Sequence, residues 1–468
     1  MKTTPNTFVR GRIRFNCALI GKGIQTDCRH RMITVKTRKP GETEKTAMEF
    51  NRKRFEEQLD RMRLFWDSMI DADNGGFYGR ADAEGKADPG ADKGTILMSR
   101  ILWFYSRMAM IADGQKVNKQ ELLESAYHAY LFLKHHCFDP EYGGAFEMVH
   151  ADGSCADEQK NAYTQSFVML ALASYAFASG SGEALRYARQ FEGLLEEKYW
   201  DGQGYRERLD RTFRTLPESA AHGSGKEVYT LGTVIQLLES HLALFKALAE
   251  TGDEIPVQEK ILRLMHILRT AFNDPQTGLL FEYAIDPGHP DNYISCGHNA
   301  IAALLSDRAF GLLGCGRNAL HDMDTALSCP GSPGGRQGKE ESEDPDRDQR
   351  FSDRITKLVL DYFIDREDGA ADYELRKTGR NKNRIWWAQA DVSAALYHAY
   401  AKYPDEQRYL DACEKILSFA DRNMTDPVTG EWTEYIREQE PMQDLVHSWK
   451  GPYHTGRMCF EILRDMRG

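Results

Sequence analysis

The stretch DADNGGFYGRAD, residues 71–82, returns along the chain in altered form. DPEYGGAFEMVHADG begins at Asp139, DGQGYRERLD at Asp201, DPQTGLLFEYAID at Asp274, DREDGAADYEL at Asp365 and DPVTGEWTEYIRE at Asp426. Six copies of one loop, spaced by 68, 62, 73, 91 and 61 residues, restrict the chain to a repeat architecture. Each loop is preceded by a charged amphipathic segment and followed by a more apolar, aromatic one. KQELLESAYHAYLFLKHH places apolar residues at three- and four-residue steps, the pattern of a helix with one wet face. ILMSRILWFYSRMAMIA and YTQSFVMLALASYAFA are apolar nearly all round and belong in an interior.

The wet segments fall at about 51–70, 118–137, 182–199, 254–272, 350–363 and 405–422. The buried segments fall at about 94–112, 159–180, 227–249, 296–312, 384–402 and 452–466. Six outer and six inner helices imply two concentric rings. The expectation is an all-α (α/α)6 barrel with short β-hairpin loops at one end. All six Asp-Gly loops then gather at that end, where inner-helix N-termini present unpaired N–H groups and partial positive charge. The loop itself reads as a turn device: Asp caps, Gly accepts positive φ, and the aromatic opens a short strand.

The domain expectation is a barrel over 48–468 after a basic, disordered extension over 1–47. Residues 1–45 carry eleven Lys/Arg against three Asp/Glu, whereas the whole chain carries −11. A Gly-, Pro- and charge-rich stretch at about 314–350 lengthens the fourth gap and reads as a flexible surface insertion. The acidic balance argues against nucleic acid as a partner. No uncharged apolar run approaches the ~18 residues that span a bilayer, so no membrane partner is expected. Nine scattered cysteines without a CxxC pair fit reduced thiols and a cytoplasmic setting.

Polar and aromatic residues collect at the starts of the buried segments. NRIWWAQADV supplies Trp386, Trp387 and Asp391; HSWKGPYHTGRMC supplies Trp449, Tyr453, His454 and Arg457. ISCGHNAIAALL supplies His298, KNAYTQSF supplies Tyr163, Arg100 lies in the first buried segment and His241 in the third. Singly, each has an ordinary structural explanation, as a packed Trp, a hydrogen-bonded core His or an ion-paired Arg. Together, at one end of separate repeats, they suit a sugar: aromatics stack on its ring and fixed polar groups orient its hydroxyls.

GGFYGRAD, KNAYTQSF, IWWAQAD and above all WKGPYHTGRMC resemble the N-acylglucosamine 2-epimerase/cellobiose 2-epimerase family, which also includes mannose isomerases and renin-binding proteins. The resemblance spans about residues 50–468 apart from the insertion. It implies an (α/α)6 barrel and proton transfer at C2 of an open-chain reducing mono- or disaccharide through a cis-enediolate, with no metal or organic cofactor. Carried over by motif, His298 and His454 are the two catalytic bases. Arg100, Tyr163, His241, Trp386, Trp387, Asp391 and Trp449 are substrate-binding, and a homodimer is possible by analogy. Two positions depart from the family pattern: His241-Leu242-Ala243 stands where His-Leu-His is usual, and Ile301 where a supporting Glu is usual. Asp391 replaces a usual Glu. These departures imply a thinned support around the histidines.

Two other readings share the fold. An inverting glycosidase needs two carboxylates flanking the scissile bond, and Asp88, Glu227 and Asp391 are the candidates near the loop end. A catalytically weakened sugar-binding relative would keep the pocket and lose the rate.

Overall fold

The computed structural model describes residues 50–112, 117–216, 229–249, 252–284, 292–313, 347–433 and 444–466. The 1–47 extension and nearly all of the 314–350 insertion lie outside them; Arg347–Phe363 is already helical. Twelve α-helices are described. The odd-numbered are α1 (Arg52–Ser68), α3 (Lys119–Phe132), α5 (Gly182–Leu194), α7 (Ile255–Ala271), α9 (Arg347–Phe363) and α11 (Arg408–Asn423). The even-numbered are α2 (Thr95–Ile111), α4 (Ala162–Ser179), α6 (Leu231–Leu248), α8 (Cys296–Leu313), α10 (Trp386–Lys402) and α12 (Tyr453–Asp465).

The even helices contact one another in order, and α12 returns to α2, so they form a closed inner ring. Each odd helix from α3 to α11 packs on the even helix before it, and α1 packs on α12. Helix α1 buries Phe55, Leu59, Met62, Phe65 and Trp66, one stripe of an otherwise charged cylinder. Helix α4 buries all but three of its residues. Helix α6 is long and apolar enough to cross a membrane by composition, but here it is an inner helix.

Each Asp-Gly loop is a hairpin closed by a single antiparallel bridge: Ile70↔Phe77, Phe138↔Ala145, Trp200↔Tyr205, Asn273↔Leu280, Ile364↔Ala371 and Thr425↔Trp432. In all six, the loop aspartate accepts from the backbone N–H two residues on, as in Asp139 Oδ1 with Glu141 N at 3.0 Å. At Gly76 the backbone has φ +66°, and a Cβ would lie 2.6 Å from the Phe132 ring, so both turn and packing demand glycine there.

Three small antiparallel sheets extend this rim: β1 (Lys93–Gly94) with β2 (Met148–Val149) and β3 (Cys155–Asp157); β4 (Lys160–Asn161) with β5 (Arg208–Leu209); and β6 (Ile294–Ser295) with β7 (Glu374–Arg376) and β8 (Gly379–Asn381). They carry each hairpin onto the previous inner helix. The carbonyls of Glu147, Glu207, Glu282 and Tyr373 accept from Thr95, Ala162, Leu231 and Cys296, the first residues of α2, α4, α6 and α8. Ala81 and Val446 exchange backbone bonds of 3.1 and 3.2 Å, joining the first loop to the segment before the last inner helix.

Buried lysines lock two of the loops. Lys93 Nζ donates to Asp71 Oδ2 at 2.7 Å and to the Gly75 carbonyl, with both ionic side chains essentially inaccessible. Lys160 does the same for Asp139 and the Gly143 carbonyl. Removing one member of such a pair strands a buried charge. Lys93→Met is therefore expected to destabilise the fold by about 3 kcal/mol, read as a lower urea midpoint. Lys93→Met with Asp71→Asn should recover part of the loss. An unchanged midpoint in the single variant would show that the pair does not hold the rim.

Candidate active site

The repeat places a glutamate of the hairpin beside the third residue of the inner helix that follows. Glu147 accepts from Thr164 Oγ1 at 2.5 Å, and Glu207 from Thr233 Oγ1 at 2.7 Å. In the next repeat the third residue is His298, whose Nδ1 lies 2.7 Å from Glu282 Oε2. The fourth residues, Gln165, Asn299 and Gln389, each clamp the hairpin through both the N–H and C=O of Ala145, Leu280 and Ala371. Asn299 is thus a structural clamp.

His454, the second residue of α12, holds Asp391 Oδ2 at 3.1 Å through Nδ1. Arg457, one turn on, grips both Asp391 oxygens at 2.8 Å and donates to Glu239 at 2.9 Å and to the Tyr453 hydroxyl at 2.8 Å. The Tyr453 hydroxyl gives its single proton to Glu239 and lies 3.2 Å from Gln236 Oε1. Trp387 stands against both imidazoles, with ring centroids 4.9 Å from His298 and 5.6 Å from His454. Trp386 meets His454 edge-on at 5.1 Å and is itself buried. Gly297 allows this approach, because a Cβ there would lie 2.4 Å from the Trp387 ring.

Arg100 completes the cluster from α2. Its guanidinium lies over the Phe167 and Tyr453 rings, donates to the Trp449 carbonyl and bonds Tyr163. Trp449, 47% exposed, faces Tyr163 at 6.0 Å with 32° between the rings, and so offers an open aromatic platform.

The two imidazoles are in opposite electrostatic states. Burial works against a charged His298, but the Glu282 carboxylate beside it outweighs this and raises its pKa above the ordinary value. Burial pushes His454 down to about 3, the Asp391 charge being offset by Arg100 and Arg457. Burial would raise Asp391, yet Arg457 and His454 hold it below the usual carboxylate range. The same cluster therefore favours the charged form of the imidazole at position 298 and the neutral form at 454.

The structure brings together eight of the nine residues expected from sequence: Arg100, Tyr163, His298, Trp386, Trp387, Asp391, Trp449 and His454. His241 is the exception. Its Nδ1 bonds the Leu237 carbonyl at 2.7 Å, and the charges it feels are Glu196 and Arg263, from outside the inner ring. The reason is helical phase: at ~100° per residue, His241 is turned about 200° from Glu239, which faces Arg457. Ala243 shares the inward stripe with Gln236 and Glu239 but lies beyond the site, so it leaves no gap among these residues. Nor is the support thin at His298, because Glu282 supplies a carboxylate from the hairpin while Ile301 is buried in the core. Asp391 is engaged by protein groups and orients His454. Sequence reasoning missed Glu282, Gln236 and Glu239. Glu282 was legible in the repeat, since FEM and FEY put Glu147 and Glu282 eight residues after their loop aspartates.

The glycosidase carboxylates do not assemble. Asp88 is half exposed and pairs with Arg80 at the surface, Asp391 is committed to Arg457, and Glu227 lies outside the described residues. Phe77 of the first loop is likewise a core residue, packed on Tyr105.

Aromatic rings and two imidazoles gathered at the rim of a double helical ring define an (α/α)6-barrel protein with one candidate site at its hairpin end. Residues 76–229 and 347–457 match the family described as N-acylglucosamine 2-epimerase (GlcNAc 2-epimerase), and the chain belongs to that family. It is 33% identical over 417 residues to a cellobiose 2-epimerase of Ruminococcus albus, covering 87% of this chain and 97% of that one. It is 24% identical over 439 residues to the N-acylglucosamine 2-epimerase of Mus musculus, covering 90% and 94%. The crystal structure of a sugar epimerase from a ruminal bacterium superposes with a TM-score of 0.73 at 31% identity, covering 89% of this chain and 99% of that one.

The opposed states of the two imidazoles can be read by nitrogen-detected NMR. At pH 6, His298 is expected as the imidazolium and His454 as the neutral ring. Glu282→Gln should lower the His298 pKa and leave His454 neutral. A wild-type His298 that titrates below an ordinary histidine would break the link to Glu282.

Proposed function

We propose that the protein is a carbohydrate 2-epimerase in which His454 and His298 move the C2 proton of an open-chain reducing sugar. It is an isomerase acting on carbohydrates. What supports the residue roles is the pair of imidazoles in ring contact with Trp387, one held above the ordinary histidine pKa and one pushed well below it.

With Nδ1–H donating to Asp391, His454 keeps its Nε2 lone pair as the base. It takes the proton from C2, and the electrons move onto the aldehyde oxygen to give the cis-enediolate. Arg100 and Tyr163 are the cluster's donors for that developing oxyanion. The His298 imidazolium then returns a proton to the opposite face of C2, leaving His298 neutral and His454 charged. Delivery to C1 instead would give the ketose, so the position of the second donor decides between epimer and isomer. A single base cannot invert C2 without leaving and re-entering on the other face, which is why two imidazoles favour epimerisation.

A reducing disaccharide of the cellobiose type is the substrate we favour. The relatives covering most of the chain at the higher identities are cellobiose 2-epimerases, and the exposed Trp449 gives a second sugar ring a platform at the rim. Trp387, less exposed and in ring contact with both histidines, marks where the reducing-end ring would sit.

The test is incubation with cellobiose, N-acetylmannosamine or mannose in D2O. Deuterium should enter C2 of the accepted sugar as its 2-epimer forms. Loss of the base or acid should reduce turnover about a thousandfold in His454→Ala and His298→Ala, with folding unchanged by circular dichroism. No deuterium at C1 or C2 of any of the sugars would defeat the proposal. Because catalysis needs His298 protonated, the rate should fall as pH rises through its raised pKa. Glu282→Gln should move that fall to lower pH.

A further inference from the structure

The stripe of α6 that faces the catalytic cluster continues through Gln236, Glu239, Ala243 and Lys246 toward the other end of the barrel. There it reaches a cavity of about 270 Å³ among the C-terminal halves of α2, α4, α6, α8 and α12. We propose that this cavity binds a small organic anion, its oxyanion held by Lys246, Arg107 and Arg464 and its hydrocarbon body lying against Phe177, Leu242 and Phe460.

Charge sets the sign of the ligand. Four cations line the cavity, Arg107, Lys246, Arg308 and Arg464, against two carboxylates, Glu239 and Glu461. Glu239 is already taken by Arg457 and the Tyr453 hydroxyl. Arg308 is satisfied, binding Glu461 at 2.9 Å and Asp465 at 2.6 Å. Arg107 and Arg464 have only distant shares of the same Glu461, at 3.5 and 3.7 Å. Lys246 has no hydrogen-bond or ion-pair partner among the described residues. Cations in the last turns of helices complement their dipoles, which explains why these side chains are basic. It leaves unexplained an unpartnered ammonium in a hollow shared with three guanidinium groups.

The hollow acts on its own residues as an excess of positive charge would. Burial, then Arg107 and Arg464, push Lys246 down to about 8, and burial lowers Arg464 as well. A bound anion would reverse both shifts. The apolar half of the lining argues against an inorganic ion as the best ligand. Phe177 is 48% exposed, and Phe460 already offers its face to Arg107 at 5.3 Å. An aryl or alkyl group bearing a phosphate or carboxylate satisfies both halves. None of the residues assigned to the anion takes part in the proton transfer proposed above, so the two readings stand or fall separately.

Calorimetric titration of the full chain at pH 7 with phenyl phosphate, benzoate, inorganic phosphate and phenol tests the proposal. Phenyl phosphate or benzoate should bind one per chain, at least tenfold tighter than inorganic phosphate, and phenol should not bind measurably. Lys246→Met and Arg464→Gln should each weaken the aryl anion at least tenfold while C2 exchange of the sugar is retained. Saturating cellobiose should not displace the probe. Binding that survives Lys246→Met, phenol binding as tightly as phenyl phosphate, displacement by cellobiose, or no binding by either aryl anion would each overturn it. If phenyl phosphate binds and benzoate does not, the head group is a phosphate; the converse makes it a carboxylate.

Discussion

Everything at the catalytic end depends on one backbone constraint: the N-terminus of an inner helix leaves N–H groups that must find partners away from water. The chain meets it by carrying each hairpin against the helix of the repeat before. The carbonyl of Glu282 serves α6, and that of Glu207 serves α4. This arrangement closes the ring of helices and also fixes where each hairpin side chain points. The glutamate that follows the bridge has only one place to go, the third residue of its own inner helix. Where that residue is threonine the contact is structural. Where it is histidine, the same contact raises the pKa of an imidazole. The candidate chemistry is a local substitution in a bond the fold already makes.

The second imbalance is electrostatic. Arg457, Asp391, Glu239, Tyr453 and His454 are all buried, and none would be tolerated alone. Asp391 is kept ionised by Arg457, and that guanidinium is kept charged by two carboxylates. His454 then sits where its own protonation would add a cation to Arg457 and Arg100. It stays neutral because burial, reinforced by those two cations, outweighs the carboxylate that touches it. His298 has one carboxylate and a wetter setting, and it goes the other way. Two residues of one type are shifted in opposite directions because their repeats supply different neighbours.

The ring was legible in the sequence because six loops share Asp and Gly at related offsets, and because wet and dry helical periods alternate between them. The rim residues were legible because their motifs begin inner helices, where position along the chain fixes height in the barrel. Azimuth was harder. His241 and Ala243 follow Glu239 closely in sequence, but ~100° per residue sends His241 to the back of α6, while ~1.5 Å of rise per residue carries Ala243, still on the inward stripe, toward the far end. Only the tertiary partner of Glu239 fixes that phase. Glu282 was harder for a different reason: it lies on a hairpin, and its bond to His298 spans 16 residues of sequence.

The two ends of the inner ring differ in the same way as the two ends of a helix. At the hairpin end, the positive helix pole favours carboxylates and a developing oxyanion. Glu147, Glu207 and Glu282 collect there, together with the sugar oxygens that the reaction would charge. At the other end the carbonyl pole favours cations, and Arg107, Lys246, Arg308 and Arg464 collect around Glu461. A closed barrel forces all six poles of one sign into one small area. Charges that would be unremarkable on a lone helix therefore add up, and either end becomes selective for the ion that its own side chains leave uncompensated. Glu239 spans the two regions, lining the far cavity while holding Arg457. Any charge arriving at the cavity is therefore felt one ion pair away from Asp391.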